Sequence, residues 1–237
     1  MLLSIIRQNQ KLAAKRNPAF DRNRFAKFLI YFMVAFWAAY LIFIGVMLSF
    51  AFEDIFPSME PYHIMNQGLI YLLILDFLLR FMLQPAMSQE IKPYLLMPVK
   101  KNKLVDTLLL QSGISSYNFF WFFLIIPFAL LTIIRFYGLT GILCYLCGIW
   151  LLMVMNCYWY LICKTLLNEK LLYILLPIGV YGLLAGTEFI PEGNPVSTFM
   201  MNLGEGFIEG NILAFLGVIA AILLLLLVNR KLQLHFI

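Results

Sequence analysis

Apolar residues run through this chain in long unbroken stretches, separated by short polar ones. The stretches do not alternate apolar with polar at every second position, as the strands of a membrane barrel do. Lipid offers the backbone no hydrogen-bond partner, so continuous apolar stretches of this kind must be helices. A hydrocarbon core about 30 Å thick takes about 20 apolar residues to cross in helical form. On that measure the pattern predicts spans at 27–50, 65–84, 110–135, 139–162, 171–187 and 211–228. The last, "ILAFLGVIAAILLLLLV", is the clearest. The fifth is short and holds Pro177 and several glycines, which membrane helices tolerate where their neighbours satisfy the backbone. The expected architecture is an all-α integral membrane protein, a six-transmembrane-helix bundle over residues 25–237.

Residues 1–24 follow another rhythm. Leu2, Ile5, Ile6, Leu12 and Ala13 recur at helical spacing, and Arg7, Lys11 and Lys15 stand four apart. A helix with one greasy and one basic stripe lies in the membrane interface, where its cations meet anionic lipid. Asn17–Pro18 ends it, because a residue before proline avoids the α region. Composition supports the membrane reading: the 237 residues are 63% hydrophobic and 12% charged, with mean hydropathy +0.90. Soluble domains hold about 45–50% apolar and about 25% charged residues. "MLLSII" is too short before Arg7 to be read as a signal peptide.

Charge sets the expected orientation. With the N-terminus in the cytoplasm and six crossings, 16 of the 17 basic residues fall inside and only Arg135 outside. Both termini are then cytoplasmic, which suits a multi-pass protein of the bacterial inner membrane. Residues 51–64 and 188–210 become the outer loops. In the second, Asn194 stands at a helix N-cap and Pro195 at the first helical position, predicting a short helix on or dipping into the outer leaflet.

A few polar residues interrupt the spans. Asp76 and Arg80 lie four apart and share a helix face, as an intramembrane ion pair would. Thr107, Gln111, Ser115 and Asn118 step by four, four and three, predicting one polar face for helix packing or a pathway. Pro127 is the expected kink in that span, and Asn156 a packing hydrogen bond. Between spans two and three, "EIKPYLLMPVKKNK" combines a greasy centre with basic ends. Glu90, Lys92, Pro93, Tyr94, Pro98, Lys100, Lys101 and Lys103 read either as a charged turn or as a partner-coupling segment on the cytoplasmic face.

Chemistry-bearing motifs are absent. There is no G-x-x-x-x-G-K-[ST] and no H-E-x-x-H, and His63 and His235 fall on opposite sides of the membrane. Cys144 and Cys147 form a C-x-x-C inside a span, where small packing residues are the plain reading. No catalytic, cofactor-binding or metal site is expected, the chain is not expected to be an enzyme, and its cations suit lipid headgroups rather than nucleic acid.

"NQGLIYLLILDFLLRFMLQ" followed by "IKPYLLMPVKKNKLVDTLLLQS" resembles the signature region of a bacterial family of uncharacterised multi-pass proteins described as ABC transporter permeases. The shared pattern falls on Asp76, Arg80, Pro93, Tyr94, Leu95, Pro98, Lys100, Lys101, Lys103 and Leu104. The layout is also similar to the membrane domain of ABC-2 type exporters, with an amphipathic leading helix, six spans, a coupling segment after span two and an outer re-entrant element before span six. Members of the permease family are longer, so the resemblance implies a short or half-length member. It implies further a permease subunit of an ATP-driven exporter, a separate cytoplasmic ATP-binding subunit, and a second copy or second membrane half. The alternative is a non-transporting scaffold that anchors a cytoplasmic partner.

Overall fold

A computed structural model describes residues 4, 6, 8, 9, 12, 24–87, 91–94, 99–187 and 194–236. Among the described residues the fold is helical, without strands. The main helices are α1 (Arg24–Ile55), α2 (Pro61–Gln67), α3 (Leu69–Leu83), α4 (Lys101–Gly113), α5 (Phe122–Leu131), α6 (Ile134–Glu169), α7 (Leu175–Gly186), α8 (Pro195–Ile208) and α9 (Ile212–Phe236). Short 3-10 turns cover Lys92–Tyr94, Ser116–Phe119 and Leu171–Ile174.

Among the described residues three helices are long and apolar enough to cross a membrane: Lys27–Ile55, Ile134–Glu169 and Ile212–Phe236. The number rises to 5 if each of two bent pairs counts as one span. Those pairs are α2 with α3, bent by 49°, and Lys101–Phe119 with α5, bent by 54°. The segment expected to be the fifth span is shorter: its apolar helix covers Leu171–Leu184, and it opens as a 3-10 turn after the extended Lys170. The third expected span also differs from expectation. Its break lies at 113–121 rather than at Pro127, which sits inside α5. "SGISS" explains this, because serine and glycine compete with helical hydrogen bonding or weaken it.

Helix α6 is the axis of the bundle. It begins with a kink at Gly138, whose φ of 62° is open to glycine without strain. Its buried residues then face α8, α3 and α9. Polar contacts sort the molecule into two ends. At one, Arg135 pairs with Glu53 at 2.7 Å and His63 with Glu205. At the other, Arg230 pairs with Asp106 at 2.7 Å and Lys164 donates to the Phe81 carbonyl at 2.6 Å. We call these the upper and lower ends.

Two apolar cores fill the bundle. The upper one gathers Leu69, Leu73, Trp121, Phe128, Tyr145, Ile149 and Phe207. The lower one gathers Phe77, Met87, Ile91, Leu104, Leu108, Tyr160 and Leu161, together with Ile6 from the N-terminal segment. Ile6 is buried while Gln8, Asn9 and Leu12 are exposed. Arg7, Lys11 and Lys15 lie outside the described residues.

Helix α1 joins the bundle through its upper half only. Leu41, Gly45 and Ser49 are buried there, and Phe52 meets Phe128 edge-on at 6.2 Å. From Lys27 to Tyr40 every residue is exposed except the half-buried Ala38. Phe28, Phe32, Phe36 and Tyr40 stack along that free stretch at 6.1, 6.4 and 6.4 Å.

Helix α8 starts as its sequence predicts. Asn194 Oδ1 accepts from the backbone N–H of Val196 and of Ser197, both at 3.1 Å, with Pro195 in the first turn. The helix turns into the protein, where Phe207 and Ile208 are buried in the upper core.

Candidate functional site

Between the two cores lies a buried polar centre. Asp76 and Arg80 project from one face of α3, as their spacing requires. Asp76 Oδ2 accepts from Arg80 Nε at 2.7 Å and from Asn156 Nδ2 at 2.7 Å. Asp76 Oδ1 accepts from Trp121 Nε1 at 2.8 Å. Asn156 Nδ2 also reaches the Leu73 carbonyl at 2.9 Å, and its Oδ1 accepts from the Tyr181 hydroxyl at 2.9 Å. The centre therefore ties α3, the start of α5, α6 and α7 together. Trp121 and Tyr181 have no local sequence signature for this role. The one available hint was that a buried indole N–H or phenol needs a partner.

The two ions differ in what they have left to offer. Asp76 has both oxygens engaged and serves as a counter-ion. Arg80 uses only Nε for its bond to Asp76, and its Nη1 and Nη2 are buried without a hydrogen-bond partner. The side chain is 1% exposed. Leaving buried charged donors unmet costs about 1–3 kcal/mol or more.

Directly below, where α3 ends, is a cavity of about 220 Å³. Its lining includes Gln84, Gln111, Ser112, Ser115, Tyr117, Cys157 and Tyr160. The last carbonyls of α3 lack helical partners, and α6 supplies them. The Tyr160 hydroxyl lies 2.8 Å from the Gln84 carbonyl and 3.3 Å from that of Pro85. Lys164 caps the Phe81 carbonyl and sits 4.3 Å above the Phe81 ring.

The chain belongs to the family of unknown function DUF5687. The family's sequence profile matches residues 10–237. No curated protein and no solved structure matches the chain.

In this DUF5687 chain the expected polar stripe is divided. Helix α4 ends at Gly113, so Thr107, Gln111, Ser115 and Asn118 do not share one helical face. Thr107 Oγ1 turns back to the Lys103 carbonyl at 2.6 Å. Asn118 is buried and closes the break by donating to the Gly113 carbonyl at 2.6 Å. Gln111 and Ser115 alone of the four line the cavity.

The expected coupling segment is described in part. Glu90 and Pro98 lie outside the described residues. Lys92, Pro93 and Tyr94 form the 3-10 turn, with Pro93 exposed and Tyr94 half-buried. Lys100, Lys101 and Lys103 are exposed at the start of α4. Met87 and Ile91 of the same connection are buried in the lower core. Among the described residues no group of three His, Cys, Asp or Glu side chains is placed to hold a metal ion. The four cysteines are free thiols.

Proposed function

We propose that the chain is the membrane-spanning subunit of an ATP-driven exporter, working with a separate ATP-binding subunit. In this reading the lower end faces the cytoplasm of a bacterium, as the basic residues suggest. A second copy or second membrane half completes the route. Both chain termini then lie on the cytoplasmic side.

The observation that carries the proposal is the two-sided character of the connection between α3 and α4. Met87 and Ile91 anchor it in the lower core beside Ile6 and Leu104. Pro93, Lys100, Lys101 and Lys103 face outward. Tyr160 holds its root at Gln84 and Pro85. A force applied by a docked partner would pass to α6 through Tyr160. It would pass to Arg80 through the bond from the Gln84 N–H to the Arg80 carbonyl, 2.8 Å long. Asp76 and Asn156 lie next along those two helices, so a partner's movement would reach the polar centre by two short routes.

Mild solubilisation followed by affinity purification tests this. An ATPase is expected to co-purify, and replacing Lys100, Lys101 and Lys103 together by glutamate is expected to abolish its association. Accessibility labelling of the two ends must show that the variant keeps its orientation. If no ATPase associates with the natural chain, the exporter reading fails and the scaffold reading takes its place.

A further inference from the structure

Helix α4 stops at Gly113 and α5 starts at Phe122, so a stretch that hydropathy draws as one span is broken part-way along. The break lies between the Asp106–Arg230 pair at the lower end and Trp121 in the polar centre. Non-helical backbone inside a membrane is tolerated only where protein buries it or where it lines a water-filled cavity. Here it meets the cavity. Ser112, Ser115 and Tyr117, at and just before the break, all line its wall.

The cavity has a mouth and a floor. Pro85 and Tyr117 are exposed at its rim, while Cys157 and Tyr160 are buried at its foot. Cys157 follows Asn156 in α6, so the floor lies one residue from a member of the polar centre. Water enters a cavity that is roomy and that offers it polar partners. At about 220 Å³ this one is many times the about 10–15 Å³ that a single water requires. The half-buried amides of Gln84 and Gln111 and the hydroxyls of Ser112 and Ser115 supply the partners. Ser112 already donates to the Leu108 carbonyl at 3.0 Å, which leaves its oxygen to accept. Among the described residues the lining carries no carboxylate, lysine, arginine or histidine. An ion entering would give up hydration without meeting a counter-charge, a cost that a neutral guest does not bear.

We propose that this cavity is a water-filled pocket, entered between Pro85 and Tyr117, that admits small neutral hydrophilic molecules to the foot of the polar centre. The pocket stands whether or not an ATP-binding subunit docks below it.

The chain's own thiols test this. Chains that keep one cysteine each, Cys157 or Cys163, with the other three replaced by alanine, are placed in lipid nanodiscs and alkylated with iodoacetamide, a small neutral hydrophilic reagent. Both thiols belong to residues that are 1% exposed, but Cys163 packs in the lower core and is nearer the lower end of α6. Each rate is divided by that of the same chain unfolded. Cys157 is expected to react about tenfold faster or more, because Cys163 must wait for the bundle to open locally. Iodoacetate has nearly the same shape and a negative charge, and Cys157 is expected to prefer iodoacetamide over it by about tenfold or more. Ser115→Phe fills the wall without touching either thiol's residue, and is expected to bring Cys157 down to the rate of Cys163 with the melting temperature retained. A Cys157 that reacts no faster than Cys163 overturns the proposal. So does equal reaction with iodoacetate, or fast labelling of Cys157 that survives Ser115→Phe.

Discussion

Above Asp76, α8 meets its neighbours through surfaces with no room for another carbon. A Cβ on Gly148 would lie 2.2 Å from Phe207 Cγ, and one on Gly204 would lie 2.3 Å from Asn66 Cγ. Asn66 is itself held by the Tyr145 hydroxyl at 2.9 Å. Below Asp76 the helices are joined by side chains reaching main-chain carbonyls. Tyr160 holds Gln84 and Pro85, Lys164 holds Phe81, and Asn229 holds Tyr158 at 2.8 Å. Close packing leaves the upper half one arrangement, since interiors at crystal-like density resist even a methylene. In the lower half, hydrogen bonds to main-chain carbonyls border a cavity of about 220 Å³. On this contrast the upper end is expected to be the more rigid of the two, with the polar centre as the joint between them.

The largest test removes the joint. Asp76→Ala strands Arg80 as a buried charge and frees the Trp121 and Asn156 donors. A loss of about 3–5 kcal/mol is expected from leaving one partner of a buried pair, read as a lower midpoint of unfolding in mixed detergent. A loss below about 1 kcal/mol would mean that the two halves do not depend on the centre.

Gly148→Ala attacks the upper half alone. Overpacking against the Phe207 ring is expected to cost about 1–3 kcal/mol. Hydrogen exchange is expected to quicken in α8 and to stay unchanged in α4. Equal loss of protection at both ends would erase the distinction drawn between them.

Tyr160→Phe attacks the lower half alone. Loss of one hydroxyl contact to the Gln84 and Pro85 carbonyls is expected to cost about 1 kcal/mol, with faster exchange near residues 84–91. If this change proved more damaging than Gly148→Ala, the lower end would be the rigid one.

Hydropathy made the helices legible because a long continuous apolar stretch carries its signal in every residue. The Asp76–Arg80 pair was legible because both members lie on one helix and their spacing fixes their face. The Asn194 cap was legible for the same local reason. Trp121 and Tyr181 could not be read, since they reach the centre from elements 45 and 105 positions from Asp76 along the chain. The polar stripe misled for the opposite reason. A period of four implies one face only where the helix is unbroken, and "SGISS" breaks this one. The length of the 171–187 segment was misjudged because apolar composition alone does not show that Leu171–Ile174 winds as a 3-10 turn.

Helix α1 carries one more consequence. It is clamped to α5 near Leu41 and stands clear from Lys27 to Tyr40. At a rise of about 1.5 Å per residue the free stretch is a lever arm of about 20 Å, so each degree of tilt at the clamp sweeps its tip by about 0.35 Å. The stacked rings from Phe28 to Tyr40 stiffen that arm. A small change of tilt at Leu41 would therefore move Lys27 much further than it moves the clamp itself.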